Sequence, residues 1–341
     1  MRDDPQLDVA KIAATLEAGY GLVVATIGYL TIGYDLSAAV YDVTAVDGEH
    51  YFLKVRSGSV HEPSLLVPRA LIDLGIEHVP APLRTQLGQL WRQLDGYPGY
   101  LVVLYPFVLG ESAMIAGMTE NQWRTFGSTL RAVHDSGLSE RFKGQLPVET
   151  FALPSASLVR EMQVVASGAA LESTAAARFA HFWREQSTRI EQLLTRAEAI
   201  GSMLQTKSFE LVLCHADIHA ANILVGDDGC ILLIDWDSPK LAPRERDLLF
   251  VIGSRISRKV ELWEEDWFFD GYGGVEIDSS ALIYYRCERI VEDLGEFGKS
   301  VFFDPNMSEA ASAAAAALAT NFFAPGGDID RAETVIHKHS T

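Results

Sequence analysis

The chain has 341 residues, which is more than one hydrophobic core usually supports, so two lobes or domains are expected. Hydrophobic residues make up 48% of the sequence, which excludes an intrinsically disordered chain and indicates a globular protein with a sizeable core. The formal net charge of −18 argues against nucleic acid as the main partner; it would attract a cationic partner, or simply keep the protein soluble.

The cysteines and the apolar segments bear on the compartment. Cys214, Cys230 and Cys287 are odd in number and lack metal-ligand spacing, which favours a reducing compartment. The polar, acidic N-terminus does not resemble a signal peptide, and the longest apolar run, residues 101–110, is too short to span a bilayer. We therefore expect a cytoplasmic protein with no membrane partner, either a monomer or a homodimer.

Strand signals dominate the first hundred residues. Five segments are apolar or rich in β-branched residues and predict strands: residues 22–31, 38–45, 51–55, 87–94 and 100–105. The turn signal Asp47-Gly48 predicts a hairpin between the second and third. A helix is predicted from about residue 63 to 74, with Pro63 acceptable in its first turn and Pro68 awkward inside it.

Helical patterns dominate after Pro106. Thr119 to Gln122 forms a capping box that predicts a helix start, and Ser308 is expected to begin a helix through the alanine tract. Short strands interrupt this pattern at residues 211–214, 223–225 and 231–234. The layout predicts an α+β, bilobal protein. Its small β-rich N-lobe would cover residues 1–106, and its larger, mainly helical C-lobe residues 107–341.

Two short segments of the helical part carry polar groups beside apolar strands. Residues 214–222 read Cys-His-Ala-Asp-Ile-His-Ala-Ala-Asn, and residues 231–237 read Ile-Leu-Leu-Ile-Asp-Trp-Asp. Any one of these polar residues alone is more often structural, as a cap or a buried histidine. A zinc site at His215 and His219 lacks the neighbouring glutamate of a zinc protease, and the cysteines add no ligands.

Phosphoryl transfer accounts for the whole set. That chemistry needs an aspartate to orient the attacking hydroxyl and accept its proton, together with oxygen ligands for Mg²⁺. Asp217 and Asn222 have the five-residue separation of the base and the metal-binding asparagine in a kinase catalytic loop. Asp235 follows at the end of the next predicted hairpin, where a second metal ligand is required.

These motifs resemble the catalytic segment of the aminoglycoside phosphotransferase family, whose fold is protein-kinase-like. Within that family, residues 213–225, 234–250 and 284–293 are most similar to the spectinomycin phosphotransferases. A looser match extends back to about residue 20, whereas residues 140–205 match only in being helical. The resemblance implies a kinase that uses ATP and Mg²⁺.

The family's functional residues map onto matching positions of this sequence. The resemblance implies Asp217 as catalytic base, Asn222 and Asp235 as Mg²⁺ ligands, Lys54 as a contact of the α- and β-phosphates, Glu62 as its ion-pair partner, and Tyr105 to Phe107 as the adenine-binding hinge. His215 and Asp247 would support the catalytic loop. Glu62 could instead merely complement a helix dipole, and Asp237 could assist the metal or bond to local backbone.

The sequence also departs from protein kinases. Their glycine-rich loop over the phosphates is reduced to Gly28 and Gly33, and no Walker A lysine motif is present. Asp235 is followed at once by Trp-Asp-Ser-Pro, which leaves no room for an activation loop. The pattern therefore predicts a constitutively active small-molecule kinase.

The acceptor site is expected on a helix near residues 285–297. Glu288, Glu292 and Asp293 lie close together on this helix and form either a solvated acidic surface or a wall for an amine-bearing substrate. Residues 263–270 mix aromatic and acidic side chains and could form a second wall or a packed core. The best-matching acceptor is a hydroxyl of a cationic aminocyclitol or aminoglycoside antibiotic, above all spectinomycin. A choline- or homoserine-kinase-like enzyme is an alternative, as is a pseudokinase, although the complete residue set argues against the latter.

Overall fold

The computed structural model describes residues 6–31, 38–168, 174–304 and 307–332. The chain divides into two compact, discontinuous units. Unit 1 comprises Met1–Pro147, Leu213–Leu241 and Asp266–Gly273, and unit 2 comprises Val148–Val212, Ala242–Glu265 and Gly274–Thr341. The expected α+β fold class is confirmed, because an antiparallel sheet near the N-terminus precedes a mainly helical remainder. The lobe boundary at residues 106 and 107 stays a prediction.

The larger sheet of unit 1 is antiparallel and has the strand order β1-β2-β3-β5-β4. Its strands are β1 (Val24–Leu30), β2 (Ala38–Ala45), β3 (His50–Ser57), β4 (Arg92–Gln93) and β5 (Tyr100–Pro106). The predicted hairpin is present, with Gly48 in its turn at φ 90°. The predicted strand at 87–94 shrinks to two residues because Gly88 turns the chain at φ 80° and donates its N–H to the Thr85 carbonyl.

Two helices accompany this sheet. Helix α1 (Val9–Tyr20) has Asp8 as its N-cap and ends at Gly21, and the sequence analysis did not predict it. It contributes Ile12 and Leu16 to a buried cluster with apolar residues of the sheet. Helix α2 (Pro63–Asp73) lies where it was predicted, and it accommodates Pro68 in its interior.

The remainder of unit 1 contains short strands together with helices. These elements are β6 (Gly110–Ser112), α3 (Ala113–Ala116), α4 (Glu120–His134), α5 (Leu138–Arg141), β7 (Val212–Cys214), β8 (Ile223–Gly226), β9 (Ile231–Leu233) and β10 (Lys240–Ala242). Strands β6, β8 and β9 form one antiparallel sheet, and β7 pairs with β10. The predicted hairpin of β8 and β9 and the capping box at Thr119 are both confirmed.

Unit 2 is a packed set of helices. Its helices are α6 (Ala156–Gly168), α7 (Thr174–Leu204), α8 (Glu245–Leu248), the start of α9 (Leu262–Tyr272), α10 (Ser279–Phe303), α11 (Glu309–Asn321) and α12 (Asp328–Ala332). Trp183, Leu194 and Leu294 are fully buried in one apolar cluster between α6, α7 and α10. Ser308 caps α11 by accepting a hydrogen bond from the Ala311 N–H, as predicted. No helix in the described part of the chain has the length and apolarity needed to cross a bilayer.

Candidate active site

The loop between β7 and β8 carries the predicted catalytic residues. It leaves β7 through Ala216, whose φ of 70° lies in the left-handed region. A single 3₁₀ turn at Ala220–Asn222 then leads into β8, and the ring of His219 caps this turn by accepting a hydrogen bond from the Ala221 N–H at 3.2 Å. At this turn the loop is therefore held by its own backbone and by the His219 ring.

Ala216 is strained, and removing its side chain is expected to stabilise the fold. The left-handed region brings Cβ of an L-residue against the next carbonyl, which costs about 1–2 kcal/mol, and glycine avoids this cost while losing part of the gain to unfolded-state entropy. Ala216→Gly should raise the free energy of unfolding by up to about 1 kcal/mol in urea titrations. The control Ala221→Gly, at ordinary φ, should lower it; a loss of stability in Ala216→Gly would show that packing of the buried methyl outweighs the strain.

Asp217 and Asn222 are brought together as predicted. The Asn222 side chain is buried and donates its Nδ2–H to the Asp217 carbonyl at 2.8 Å, and Nδ2 lies 3.4 Å from Asp217 Oδ2. His219 Nε2 lies 3.5 Å from the same Asp217 oxygen. The Asp217 side chain remains 38% exposed, so its carboxylate is accessible from solvent.

The peptide of Ile234 joins this loop to Asp235. Its N–H donates to the Asn222 carbonyl at 2.9 Å, and its carbonyl accepts from His215 Nε2 at 2.8 Å. His215 is buried, accepts the Asp217 N–H at Nδ1 and packs 4.5 Å from the Trp236 ring, so it is the hydrogen-bonded support that was predicted. Asp247, the other predicted support, is fully buried on α8, and its role stays a prediction.

Asp235 occupies an electrostatically distinct position. Its φ of 67° is left-handed, a conformation that aspartate tolerates better than most residues. The side chain is reached by solvent, but protein groups surround it closely enough that lost hydration, followed by the charge of Asp237, raises its pKa. Lys54 lowers that pKa in part. A cation beside Asp235 would therefore be favoured.

The donor set fits a divalent ion. The Asn222 nitrogen is used by Asp217, which leaves the amide oxygen Oδ1 as the ligand atom, and Asp235 offers a partly desolvated carboxylate. Oxygen donors of these two kinds are the ligands that Mg²⁺ takes. Whether the ion binds there remains a proposal, taken up below.

Lys54 lies on the face of β3 that was predicted, because Leu53 and Val55 point into the core and Lys54 is only partly buried. Its ion-pair partner is Asp237, at 3.6 Å. The predicted pair with Glu62 is not made within the described chain: Glu62 is exposed at the N-terminus of α2. Asp237 carries the opposing charge in its place, and a nucleotide-binding role of Glu62 stays a prediction.

The predicted hinge residues are at the end of β5. Tyr105 lies opposite Phe52 in the register of β3 and β5, with the two rings in edge contact at 6.3 Å. Burial, followed by the charge of Asp237, raises the pKa of the Tyr105 phenol. The Phe107 N–H donates to the His50 carbonyl at 3.2 Å, and an adenine-binding role of Tyr105 to Phe107 stays a prediction.

One of the predicted acidic residues on α10 is engaged in a buried ion pair. Glu288 is 4% exposed and forms a direct hydrogen-bonded pair with Arg246, whose guanidinium lies over the Tyr285 ring. Burial alone would lower the pKa of Arg246, but the charge of Glu288 raises it on balance, with a contribution from Glu292. The expectation of a solvated acidic surface at Glu288 is therefore wrong, because its carboxylate neutralises a buried arginine.

The other acidic residues of this region also have local partners. Asp293 pairs with Arg289 at 3.1 Å along the same helix, and Glu292 is half-buried. In the 263–270 segment, Glu264 and Glu265 are buried; Glu264 binds Arg258, and Glu265 accepts the Gly253 N–H at 2.7 Å. Trp263 is exposed. A substrate role for Glu288, Glu292 or Asp293 remains a proposal.

Breaking the Arg246–Glu288 pair from one side is expected to be costly. Glu288→Ala would leave a buried guanidinium without its carboxylate and should lower the free energy of unfolding by about 3–5 kcal/mol. The double substitution Arg246→Met with Glu288→Leu should recover most of this loss. Asp293→Ala, which removes a more exposed pair, is the matched control and should cost less than about 1 kcal/mol. An unchanged urea midpoint for Glu288→Ala would contradict the structural assignment.

The comparisons with known proteins now identify the class. The sequence model of the phosphotransferase enzyme family matches residues 29–274, a span that contains Lys54, Asp217, Asn222 and Asp235. The chain belongs to this family and is a phosphotransferase with an alcohol group as acceptor. A search of curated protein sequences finds no match.

Several solved structures are similar to this chain. The chain is similar to spectinomycin phosphotransferase APH(9)-Ia in complex with ADP and spectinomycin, with a TM-score of 0.85 and 29% identity over 96% of this chain and 98% of that one. The AMP-bound complex of that enzyme gives a TM-score of 0.83 with the same identity and coverage. Amicoumacin kinase hAmiN, in complex with AMP-PNP and Ca²⁺, is 16% identical at a TM-score of 0.59 over 96% and 93% of the two chains, a likeness of fold alone. The expected nucleotide cofactor, ATP, agrees with the ADP and AMP bound in the spectinomycin phosphotransferase structures.

Proposed function

We propose that this phosphotransferase transfers the γ-phosphoryl group of ATP to a hydroxyl of a cationic aminocyclitol antibiotic, with spectinomycin as the acceptor, and thereby confers resistance. The observation that carries the proposal is the likeness to spectinomycin phosphotransferase along nearly the whole of both chains. The amicoumacin kinase structure matches with a much lower TM-score, and the choline kinase LicA of Streptococcus pneumoniae matches at 0.54 with 13% identity, which shows only the fold.

Asp217 would act as the base. Its exposed carboxylate accepts the proton of the acceptor hydroxyl while the hydroxyl oxygen forms a bond to the γ-phosphorus, and the bond from that phosphorus to the bridging oxygen breaks, which releases ADP. Within the same loop, Asn222 donates to the Asp217 carbonyl and the His219 ring lies 3.5 Å from the Asp217 carboxylate, and both contacts would help to position Asp217. The proton passes from Asp217 to solvent after the product leaves.

Asn222 and Asp235 would hold the Mg²⁺ ion, through the amide oxygen and the carboxylate respectively. When bound, the ion would neutralise charge on the phosphates. Lys54 would contact the α- and β-phosphates, and Tyr105 to Phe107 would border the adenine. Glu62 would complete the nucleotide site from the start of α2, although it does not pair with Lys54 here.

The acceptor's positive charge is matched by the acidity of the protein. A net charge of −18 favours the approach of an amine-bearing substrate, at a rate that falls with ionic strength. On α10, Glu292 and Asp293 would contribute local negative charge. Glu288 would act mainly through Arg246, because its carboxylate is already paired.

The decisive experiment is a coupled assay of ADP release with purified protein, MgATP and a panel of acceptors. The panel contains spectinomycin, several aminoglycosides, choline and homoserine, and Asp217→Asn serves as the background control. We expect turnover with spectinomycin above every other acceptor, and a phosphorylated product by mass spectrometry. Turnover restricted to choline or homoserine would overturn the antibiotic proposal while retaining the chemistry.

A binding-only role has its own signature. A pseudokinase would bind MgATP in a thermal-shift assay and release no ADP with any acceptor. Expression of the chain in a spectinomycin-sensitive bacterium supplies an independent readout, because a resistance enzyme should raise the tolerated drug concentration and the Asp217→Asn variant should not.

A further inference from the structure

A second cation lies beside Lys54 on the same strand. The alternation of β3 places Leu53 and Val55 in the core and Phe52, Lys54 and Arg56 on the opposite, partly buried face. Lys54 and Arg56 are therefore neighbours, one pleat apart. No role for Arg56 follows from the kinase motifs.

The two cations share one carboxylate. Lys54 Nζ lies 3.6 Å from Asp237 Oδ2, and Arg56 Nη1 lies 3.7 Å from Asp237 Oδ1. Both separations exceed those of direct charge-assisted hydrogen bonds, which are 2.7–2.9 Å. The Asp237 side chain is also 41% exposed, so its contacts with the cations are screened and weak. An anion of higher charge can therefore compete with Asp237 for both cations.

We propose that Arg56 is a second phosphate-binding residue of the nucleotide site, acting beside Lys54, and that Asp237 is the internal counter-ion that the nucleotide phosphates displace. A guanidinium presents paired N–H donors that match the oxygens of a phosphate group, whereas a lysine supplies a point charge. The two side chains together offer a polyphosphate more donors than Lys54 alone. The shared carboxylate then marks the position of an anion between them.

The neighbouring groups agree with this assignment. Asp235, the proposed metal ligand, interacts electrostatically with Lys54 and Asp237, and Tyr105, in the proposed hinge, interacts with Arg56 and Asp237. Arg56 and Lys54 therefore share Asp237 as a neighbour with these two parts of the proposed nucleotide site. The inference depends on the use of a nucleotide and not on the identity of the acceptor.

Nucleotide binding to Arg56→Gln tests the proposal. Dissociation constants for ATP, ADP and adenosine are measured by calorimetry in EDTA, without any acceptor. Loss of a charge-assisted phosphate contact is expected to raise the dissociation constants of ATP and ADP by about tenfold or more and to leave the dissociation constant of adenosine unchanged. Arg56→Lys should recover part of the loss. The control Arg84→Gln removes an exposed arginine that pairs with Asp73 and should change no constant.

Two results would overturn this role for Arg56. Unchanged ATP and ADP binding would remove Arg56 from the phosphate site. Equal weakening of adenosine binding and ADP binding would show that Arg56 has a structural role, since adenosine has no phosphate. Because neither measurement includes an acceptor, failure of the spectinomycin assay leaves this test intact.

Asp237→Asn tests the proposed role of Asp237 as the counter-ion that the phosphates displace. Removing a competing negative charge should strengthen ADP binding several-fold in EDTA, because the phosphates no longer displace a carboxylate. Weaker ADP binding would show instead that Asp237 positions Lys54 for the nucleotide, and would overturn the counter-ion assignment. The melting temperature of each variant confirms that it is folded.

Discussion

Replacing Asp217 by alanine should lower turnover at least about 100-fold, because a positioned general base contributes roughly two to four orders of magnitude. Nucleotide affinity should change little, since Asp217 is the proposed base for the acceptor hydroxyl and is not part of the proposed Lys54–Arg56 phosphate site. The measurement is steady-state ADP release with spectinomycin, together with ADP affinity by calorimetry. The expected result is a fall in the maximal rate at an unchanged ADP dissociation constant.

The control for this experiment is Asp227→Ala. Asp227 is an exposed aspartate in the turn between β8 and β9, on the same hairpin that follows the catalytic loop. Its removal should leave turnover unchanged. This result would exclude a general effect on activity from the loss of one negative charge. Full activity in Asp217→Ala would remove this residue from the mechanism and direct attention to another acceptor for the hydroxyl proton.

Asp235→Asn should remove productive metal binding and reduce turnover by a similar factor. Asparagine tolerates the left-handed backbone that Asp235 adopts at φ 67°, so the substitution removes the charge and preserves the loop. The expected result is that Mg²⁺ no longer strengthens ADP binding, which calorimetry measures without any turnover. A Mg²⁺ titration of activity should shift to much higher concentration or fail to saturate.

The matched comparison is Asp235→Ala. Alanine removes the same carboxylate but is strained at positive φ, so it should lose stability as well as metal dependence. A melting temperature that falls only in Asp235→Ala separates these two effects. If Mg²⁺ still strengthened ADP binding in Asp235→Asn, the ion would have to bind to other ligands.

The sequence predicted the elements that depend on local signals. The capping box at Thr119, the hairpin turn at Gly48 and the polar residues after β7 and β9 each have a short-range pattern with one structural solution. The spacing of Asp217 and Asn222 also predicted their proximity, because a short turn between two strands confines both ends. The hydrogen bond between Asn222 and the Asp217 carbonyl is the direct result.

Other features depend on partners that are far apart in the chain. Glu288 looks like one member of a solvated acidic surface until Arg246, 42 residues earlier, is found beside it. Lys54 pairs with Asp237 and not with Glu62, and this pairing also depends on how β3 meets the segment that follows β9. Strand alternation alone could have indicated Arg56 as a neighbour of Lys54, since the two side chains share a face of β3.

The doubly hydrogen-bonded peptide of Ile234 has a consequence for the energetics of catalysis. With its N–H bonded to the Asn222 carbonyl and its carbonyl bonded to His215, the loop that carries Asp217 and the residue Asp235 cannot move apart without breaking two hydrogen bonds. The proposed base and the proposed metal ligand would thus be preorganised before a nucleotide arrives. Such an arrangement would require little reorganisation free energy on the way to the transition state, and no phosphorylation switch would be needed to assemble the site.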